Sequence, residues 1–439
     1  MNNKVILIAF VLFTAAITGL AICDKKLIYF AVVLSPLIIY LCIHKPFIFP
    51  FGLYALLIPF DGLLAVAGVG SGATVTKLLG ILTMLVLLLK GAFENKLKKP
   101  DSVLIWWVLL IMYGFLSVWW AIDTGIAQSR LKTAFGLLLL YLVVGSYRFK
   151  KNEFEAIKWC IMLGGLLAAL LTIYFYESGL LKATQEASQR ATISMEGRYV
   201  NPNAVGFDFM IPIAICGGMM LQESKKIIKV VLGLSTTLML FGIIVTGSRG
   251  AMLGLAVIII VYILSAKQKI TYVTWFIVLG IILMPFIPDL FFERWSIATS
   301  TGGAGRVDIW HVGFKSLGKH WLTGAGLNNF LVAYEEFALF APDFQGYNRG
   351  AHNTYLKFFV ELGIVGITLF LMVLWKHYKA IQSRVVPLIP NSYDTVILKS
   401  AFWAIMVLCF FGDKMWTKSF WLLWMMICMY GNVSTKNSD

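Results

Sequence analysis

Apolar residues fill this chain in blocks separated by short polar intervals. A helix needs about 20 residues to cross a hydrocarbon layer about 30 Å thick. Judged against that length, candidate spans fall near 4–22, 27–43, 47–60, 77–90, 103–120, 132–145, 156–175, 203–220, 227–246, 250–265, 272–288, 353–375, 396–411 and 416–430. Several are short, and the third meets Pro46, Pro50 and Pro59, so it reads as broken or re-entrant. The pattern predicts an all-α polytopic integral membrane protein of about 12–14 transmembrane helices with one large, partly helical outer loop.

The longest polar interruption, 291–363, is that loop and the entry to the helix behind it. Composition agrees with the pattern: 59% of residues are hydrophobic and 13% charged, about half the usual charged share of a soluble domain. No polar interval is long enough for a separate soluble domain. The net charge of +15 is read as loop cations that set orientation rather than as a nucleic-acid surface. Cys23, Cys42, Cys160, Cys216, Cys409 and Cys428 are scattered and form no Cys-x-x-Cys pair, which indicates neither a disulfide framework nor a zinc site. The stretch from Met1 to Cys23 has signal-like hydropathy without a basic cluster before it, so it is read as an uncleaved first helix.

Basic clusters orient the spans. Lys90 to Lys99, Arg148 to Lys151, Lys225 to Lys229, Lys267 with Lys269, and Lys376 to Arg384 fall on one side with both termini. The positive-inside rule makes that side cytoplasmic. The other side receives 177–202, the turn Thr246-Gly247-Ser248-Arg249-Gly250, the long loop and the turn from Gly412 to Lys418. There stand Arg190, Arg198, Arg249, Arg306, Arg349, Lys414 and Lys418, where the rule disfavours cations. Acidic neighbours account for some of them. The excess of arginine near helix ends suits an anionic ligand such as phosphate.

Four segments carry candidate chemistry. In the Ser248-Arg249-Gly250 turn, Arg249 is expected to cap the next helix and set its guanidinium beside a helix N-terminus, where an anion is favoured. An arginine snorkelling to headgroups would look the same. The glycine-rich lead into Gly305-Arg306-Val307-Asp308-Ile309-Trp310 opens an amphipathic helix with Arg306 in its first turn. A local ion pair of Arg306 with Asp308 or Glu293 is the competing reading. His352 sits at the outer mouth of a span, after Arg349, and is the side chain suited to take a proton near neutral pH. Capping or headgroup contact is the plainer alternative. In Asn201-Pro202-Asn203, Asn203 is expected to cap a helix, which leaves Arg198 and Arg190 to face the same compartment as Arg249. The turn Gly324-Ala325-Gly326 is read as structural, letting a peripheral helix fold back onto the membrane domain.

In this order, Arg198 to Ala204, Thr246 to Ala251, Gly305 to Trp310, Gly324 to Phe330 and His352 to Leu356 with Glu361-Leu362-Gly363 resemble the O-antigen ligase and O-antigen polymerase superfamily of bacterial membrane glycan transferases. The resemblance covers about 190–370; the N-terminal spans match only as generic membrane helix. It implies a GT-C-like, metal-independent, inverting glycosyltransferase without cofactor. Such an enzyme moves a glycan from undecaprenyl diphosphate to an acceptor hydroxyl at the outer face of the inner membrane. The acceptor is lipid A–core in a ligase, or another lipid-linked repeat in a polymerase of O-antigen or exopolysaccharide. Ligase is preferred here, although neither acceptor leaves a motif.

By the same resemblance Arg249 and Arg306 hold the diphosphate, and His352 contacts or deprotonates the acceptor. Arg198, Arg190 and Arg349 are second choices, and Lys414 and Lys418 could guide either anionic substrate. A single histidine, Ala351-His352, stands where some relatives carry two, which leaves open whether His352 is a base or an orienting group. The implied division is 1–200 as N-terminal spans, 201–375 as the catalytic region with its outer loop 289–352, and 376–439 as C-terminal spans. A transporter or flippase of an anionic lipid is the rival class. It would call for mid-span charges and paired broken helices, whereas the charges here gather at one mouth.

Overall fold

A computed structural model describes residues 27–65, 74–179, 182–183, 189–195, 198–266, 268–287, 305–383 and 393–433, with isolated positions between 289 and 303. The expected first span at 4–22 and most of 290–304 lie outside the described residues.

The architecture is all-α. In chain order the helices are α1 (Leu27–His44), α2 (Phe51–Leu57), α3 (Val75–Phe93), α4 (Val103–Leu116), α5 (Thr124–Gly145), α6 (Lys151–Glu177), α7 (Pro202–Asp208), α8 (Met210–Gln222), α9 (Lys226–Thr246), α10 (Arg249–Ser265), α11 (Lys269–Leu283), α12 (Arg306–His320), α13 (Phe330–Phe337), α14 (Thr354–Gln382), α15 (Asp394–Leu408) and α16 (Lys418–Asn432). Among the described residues six helical stretches are long and apolar enough to cross a membrane: α3, α5, α6, the α7–α8 run, α9 and α14. Shorter apolar helices include α4 and α10. Two minimal antiparallel hairpins, Lys182–Ala183 with Gln189–Arg190 and Ser194–Met195 with Arg198–Tyr199, lie between α6 and α7.

Leucines and isoleucines such as Leu85, Leu89, Ile105, Leu139, Leu234 and Ile260 are exposed along the helices. In water such faces would drive association; against acyl chains they carry no penalty. The inner faces pack α10 on α15, α9 on α6, α14 on α4 and α16 on α5. At the centre Trp107 stacks on Trp421 with ring centroids 4.4 Å apart. Tyr141 and His377 share a 2.9 Å hydrogen bond there. The charges inside the bundle are paired: Lys158 donates to Asp394 at 2.6 Å and lies 2.8 Å from Glu155.

A second, smaller core stands outside the bundle. Ile309, Val312, Phe330, Tyr334 and Ala351 of the outer loop close over Leu356 and Val360 of α14. The clasp that fixes this layer involves two glycines. Gly324, at φ +82°, comes so close to α14 that a Cβ would lie 2.2 Å from the Glu361 carbonyl oxygen. Ala325 N–H donates to Val360 O at 2.9 Å and Gly326 N–H to Glu361 O at 2.8 Å. In return α14 departs from helical geometry at Gly363 (φ +63°, ψ −163°). There Ile364 N–H reaches Trp321 O at 2.8 Å. Only glycine adopts that backbone without strain. The structural reading of the Gly324 turn therefore holds.

Two capping expectations are corrected. Ser248, not Arg249, caps α10, its hydroxyl accepting from Ala251 N–H at 3.4 Å, and Arg249 is the first helical residue. Asn201, not Asn203, caps α7, accepting from Asn203 N–H at 2.9 Å with Pro202 in the first helical position. The expected span at 203–220 is also divided between α7 and α8.

Candidate functional site

One mouth of the bundle is built from four stretches distant in sequence: 190–208, 246–250, 305–354 and 409–414. Arg190 is buried and ties the first two together. Its Nε donates to Thr246 O at 2.7 Å and its Nη2 to Asn203 Oδ1 at 2.8 Å. Asn203, released from capping by Asn201, thus accepts from an arginine that orders the Ser-Arg turn. The turn then packs closely. A Cβ on Gly206 would stand 3.1 Å from Ser248 Cβ, and one on Gly250 would stand 3.3 Å from Phe411 Cβ. Arg249 therefore begins α10 beside both α7 and the 409–414 turn.

That last turn is clipped to α14 through Thr354. Thr354 N–H donates to Cys409 O at 2.7 Å and its hydroxyl to Gly412 O at 2.7 Å, while Lys414 N–H donates to the same hydroxyl at 3.1 Å. Lys414 is buried with its ammonium 4.5 Å from the Phe207 ring centroid. Burial pushes its pKa down; Asp208 opposes the shift and Arg306 adds to it. Asp413 remains exposed and accepts from Lys357, whose Nζ also lies 3.3 Å from Asn328 Oδ1 and 3.7 Å from Glu361 Oε1.

Arg306 starts α12 after Gly305, which has φ +73°. A Cβ on Gly305 would overlap Gln345, and Gln345 donates to Asp308 Oδ2 at 2.9 Å. The Asp308 carboxylate is thus engaged with the 343–345 segment. Arg349 Nε donates to Gln345 O at 2.6 Å, so Arg306 and Arg349 flank one short segment. Trp310 Nε1 donates to Ala351 O at 2.9 Å and pins the residue before His352.

His352 follows with φ +46°. It does not cap the helix: Asn353 does, accepting from Tyr355 and Leu356 N–H at 3.0 and 3.1 Å. The left-handed backbone turns His352 out of the helix start, so that it is solvent-accessible while surrounded by the loops. Desolvation by those walls lowers its pKa below the ordinary 6.5. Arg306, Lys414 and Arg349 push the same way, and Asp413 pulls it back. The result is a neutral imidazole at neutral pH, able to accept a proton, at a mouth rich in cations.

The eight singled-out residues divide. His352, Arg306, Lys414 and Arg349 come close enough to act on one another's charge. Arg249 is placed by its neighbours, Ser248 packing against Gly206 of α7 and Gly250 against Phe411. Arg190 serves the architecture of the turn. Arg198 is exposed on its hairpin. Lys418 is engaged elsewhere, donating to Asp61 and, at 3.2 Å, to Thr74 Oγ1. Sequence reasoning missed Lys357 with Glu361 as the support beneath Asp413. Their spacing of four on one helix was a readable signal, but the turn that completes the cluster lies more than fifty residues away.

No curated protein matches the chain. Residues 234–371 match the O-antigen ligase family model. That range holds Arg249, Arg306, Arg349 and His352. That segment of this membrane-embedded chain is similar to the O-antigen ligase family.

Proposed function

We propose that this protein transfers a glycan from undecaprenyl diphosphate to an acceptor hydroxyl at the outer face of the inner membrane, in the manner of an O-antigen ligase with a lipid A–core acceptor. The observation that carries the reading is His352 set among the charges of Arg306, Arg349 and Lys414 at the end of the outer loop. A base and an anion cradle in one mouth are what displacement of a diphosphate needs.

In the reaction the acceptor oxygen attacks the anomeric carbon of the donor sugar while its proton passes to His352. The bond from that carbon to the diphosphate oxygen breaks, and the leaving diphosphate keeps the electron pair. Attack opposite the leaving group inverts the anomeric centre. Arg249 and Arg306 neutralise the departing charge, Lys414 and Arg349 extend the cradle, and the charge stabilisation needs no metal. Arg190 positions the Arg249 turn and Arg198 lies at the approaches, whereas Lys418 is held away from the transfer by Asp61. Residues 201–375 form the catalytic region, flanked by 1–200 and 376–439 as supporting spans, with both termini cytoplasmic.

The test is a transfer assay on Arg249→Ala, Arg306→Ala and His352→Ala, each checked for membrane insertion. Each should abolish transfer, and full activity in all three would sink the mechanism. Transfer should also persist in chelator. Gene deletion then identifies the acceptor: lipid A without long chains, with lipid-linked polymer accumulating, means ligase, whereas single-repeat chains mean polymerase.

A further inference from the structure

Another group of cations surrounds a cavity of about 240 Å³ between α3 and α5. Lys77, Lys132 and Lys418 line it together with Trp416. Its chemistry is one-sided. The Trp416 indole N–H is buried with no acceptor, and so is the Nε–H of Arg130. The Arg130 guanidinium lies 5.9 Å from the Trp416 ring centroid. Arg130 also shares a helical face with two cavity residues, Thr133 and Leu137, at spacings of three and seven. Lys132 has no ion-pair or hydrogen-bond partner among the described residues. The nearby carboxylate, Asp61, is held by Lys418, Thr74 and Thr76. Among the described residues the Trp416 N–H and the Arg130 Nε–H are therefore buried donors without an acceptor, which is costly.

The cavity is also graded with depth. α3 and α5 both begin on the outer side. Along each, the cation comes first and the apolar wall follows: Lys77 before Ile81 and Met84, Lys132 before Leu137 and Leu140. At Gly136 a Cβ would meet no atom within 4 Å, so open space continues down that face. A lysine eight residues inside an apolar helix sits near headgroup depth, where it needs an anion or a path to water.

We propose that this cavity is a binding site for a phosphate-bearing membrane lipid. The phosphate sits among Lys132, Lys77, Lys418 and the Trp416 N–H, and the hydrocarbon chain descends past Gly136 along Ile81, Met84, Leu137 and Leu140. It is distinct from the Arg249, Arg306 and His352 mouth, and it does not depend on the transfer chemistry. The same headgroup chemistry is offered by a polyprenyl phosphate carrier and by a bulk anionic phospholipid.

The test uses the full chain in detergent, with native mass spectrometry of bound lipid. Polyprenyl monophosphate, phosphatidylglycerol and, as a phosphate-free control, diacylglycerol are titrated separately. At least one phosphate lipid should bind in preference to diacylglycerol, and the tighter of the two identifies the source. Lys132→Ala should weaken it about tenfold. Gly136→Leu, which fills the open face, should remove it while thermal unfolding stays unchanged. Equal binding of diacylglycerol, or wild-type retention by both variants, would overturn the proposal.

Discussion

The clasp at Gly363 offers a direct test of how the mouth is held together. Alanine there must adopt φ +63° and ψ −163°, a region essentially reserved for glycine that costs about 1–3 kcal/mol for other residues. Its Cβ would also stand 2.2 Å from Leu322 O. Relieving that contact moves the 321–326 turn by about 1 Å, given ordinary carbon–oxygen contacts beyond 3 Å. Such a shift disrupts the hydrogen bonds from Ile364 to Trp321, Gly326 to Glu361 and Ala325 to Val360, each worth about 1 kcal/mol. The outer layer should lose roughly 4 kcal/mol of docking energy, close to a thousandfold in its opening equilibrium. Hydrogen exchange reads this locally. In Gly363→Ala, amides of α12 and α13 should exchange far faster than in the parent, while those of α9 and α10 stay unchanged. Transfer should fall with them, because Arg306 rides on the loosened layer. Parental exchange rates in α12 and α13 would refute the idea that this clasp holds the mouth.

Other consequences are open to measurement. The lowered His352 pKa predicts that kcat/KM rises with pH through a midpoint below 6.5, since the base must be unprotonated. Asp413→Asn, which removes an anion favouring the imidazolium, should move that midpoint lower still. A rise in the midpoint would contradict the charge arrangement. Arg190→Lys cannot reach both Thr246 O and Asn203 Oδ1, and should lose about 2 kcal/mol of thermal stability together with transfer. Lys158→Ala takes the 2.6 Å ion-pair partner from the buried Asp394 and should cost about 3–5 kcal/mol in unfolding experiments while leaving the pH–rate profile of the remaining folded enzyme unchanged.

Much of the architecture was written in one dimension. Blocks of apolar residues near membrane length dictate helices, because a backbone in hydrocarbon must satisfy its own hydrogen bonds. The ends of α9, α10 and α16 and the start of α14 therefore fell close to the sequence expectation, whereas α14 runs on past 375 to Gln382. Gly247, at φ +57°, and Ser248 close one helix and cap the next by local chemistry alone. The break after Asp208 in the 203–220 run has a readable cause in Pro212, whose ring meets the carbonyl four residues before it and removes that helical hydrogen bond. Cations massed on the outer side were visible as a departure from the positive-inside trend, but their tasks were not. Arg190, Arg249 and Lys418 look alike in sequence. Only packing made the first a clamp, set the turn of the second against Phe411 through Gly250 and gave the third to Asp61. The outer loop from 305 to 352 was legible as polar and partly helical. That it brings Arg306 and Arg349 to His352 followed from glycine contacts with α14, which depend on two backbones meeting across forty residues. Periodicity along the chain determined which segments enter the membrane. Which charges share the mouth was decided by tertiary structure, because electrostatic interaction depends on distance in space and burial, and neither is a property of sequence separation.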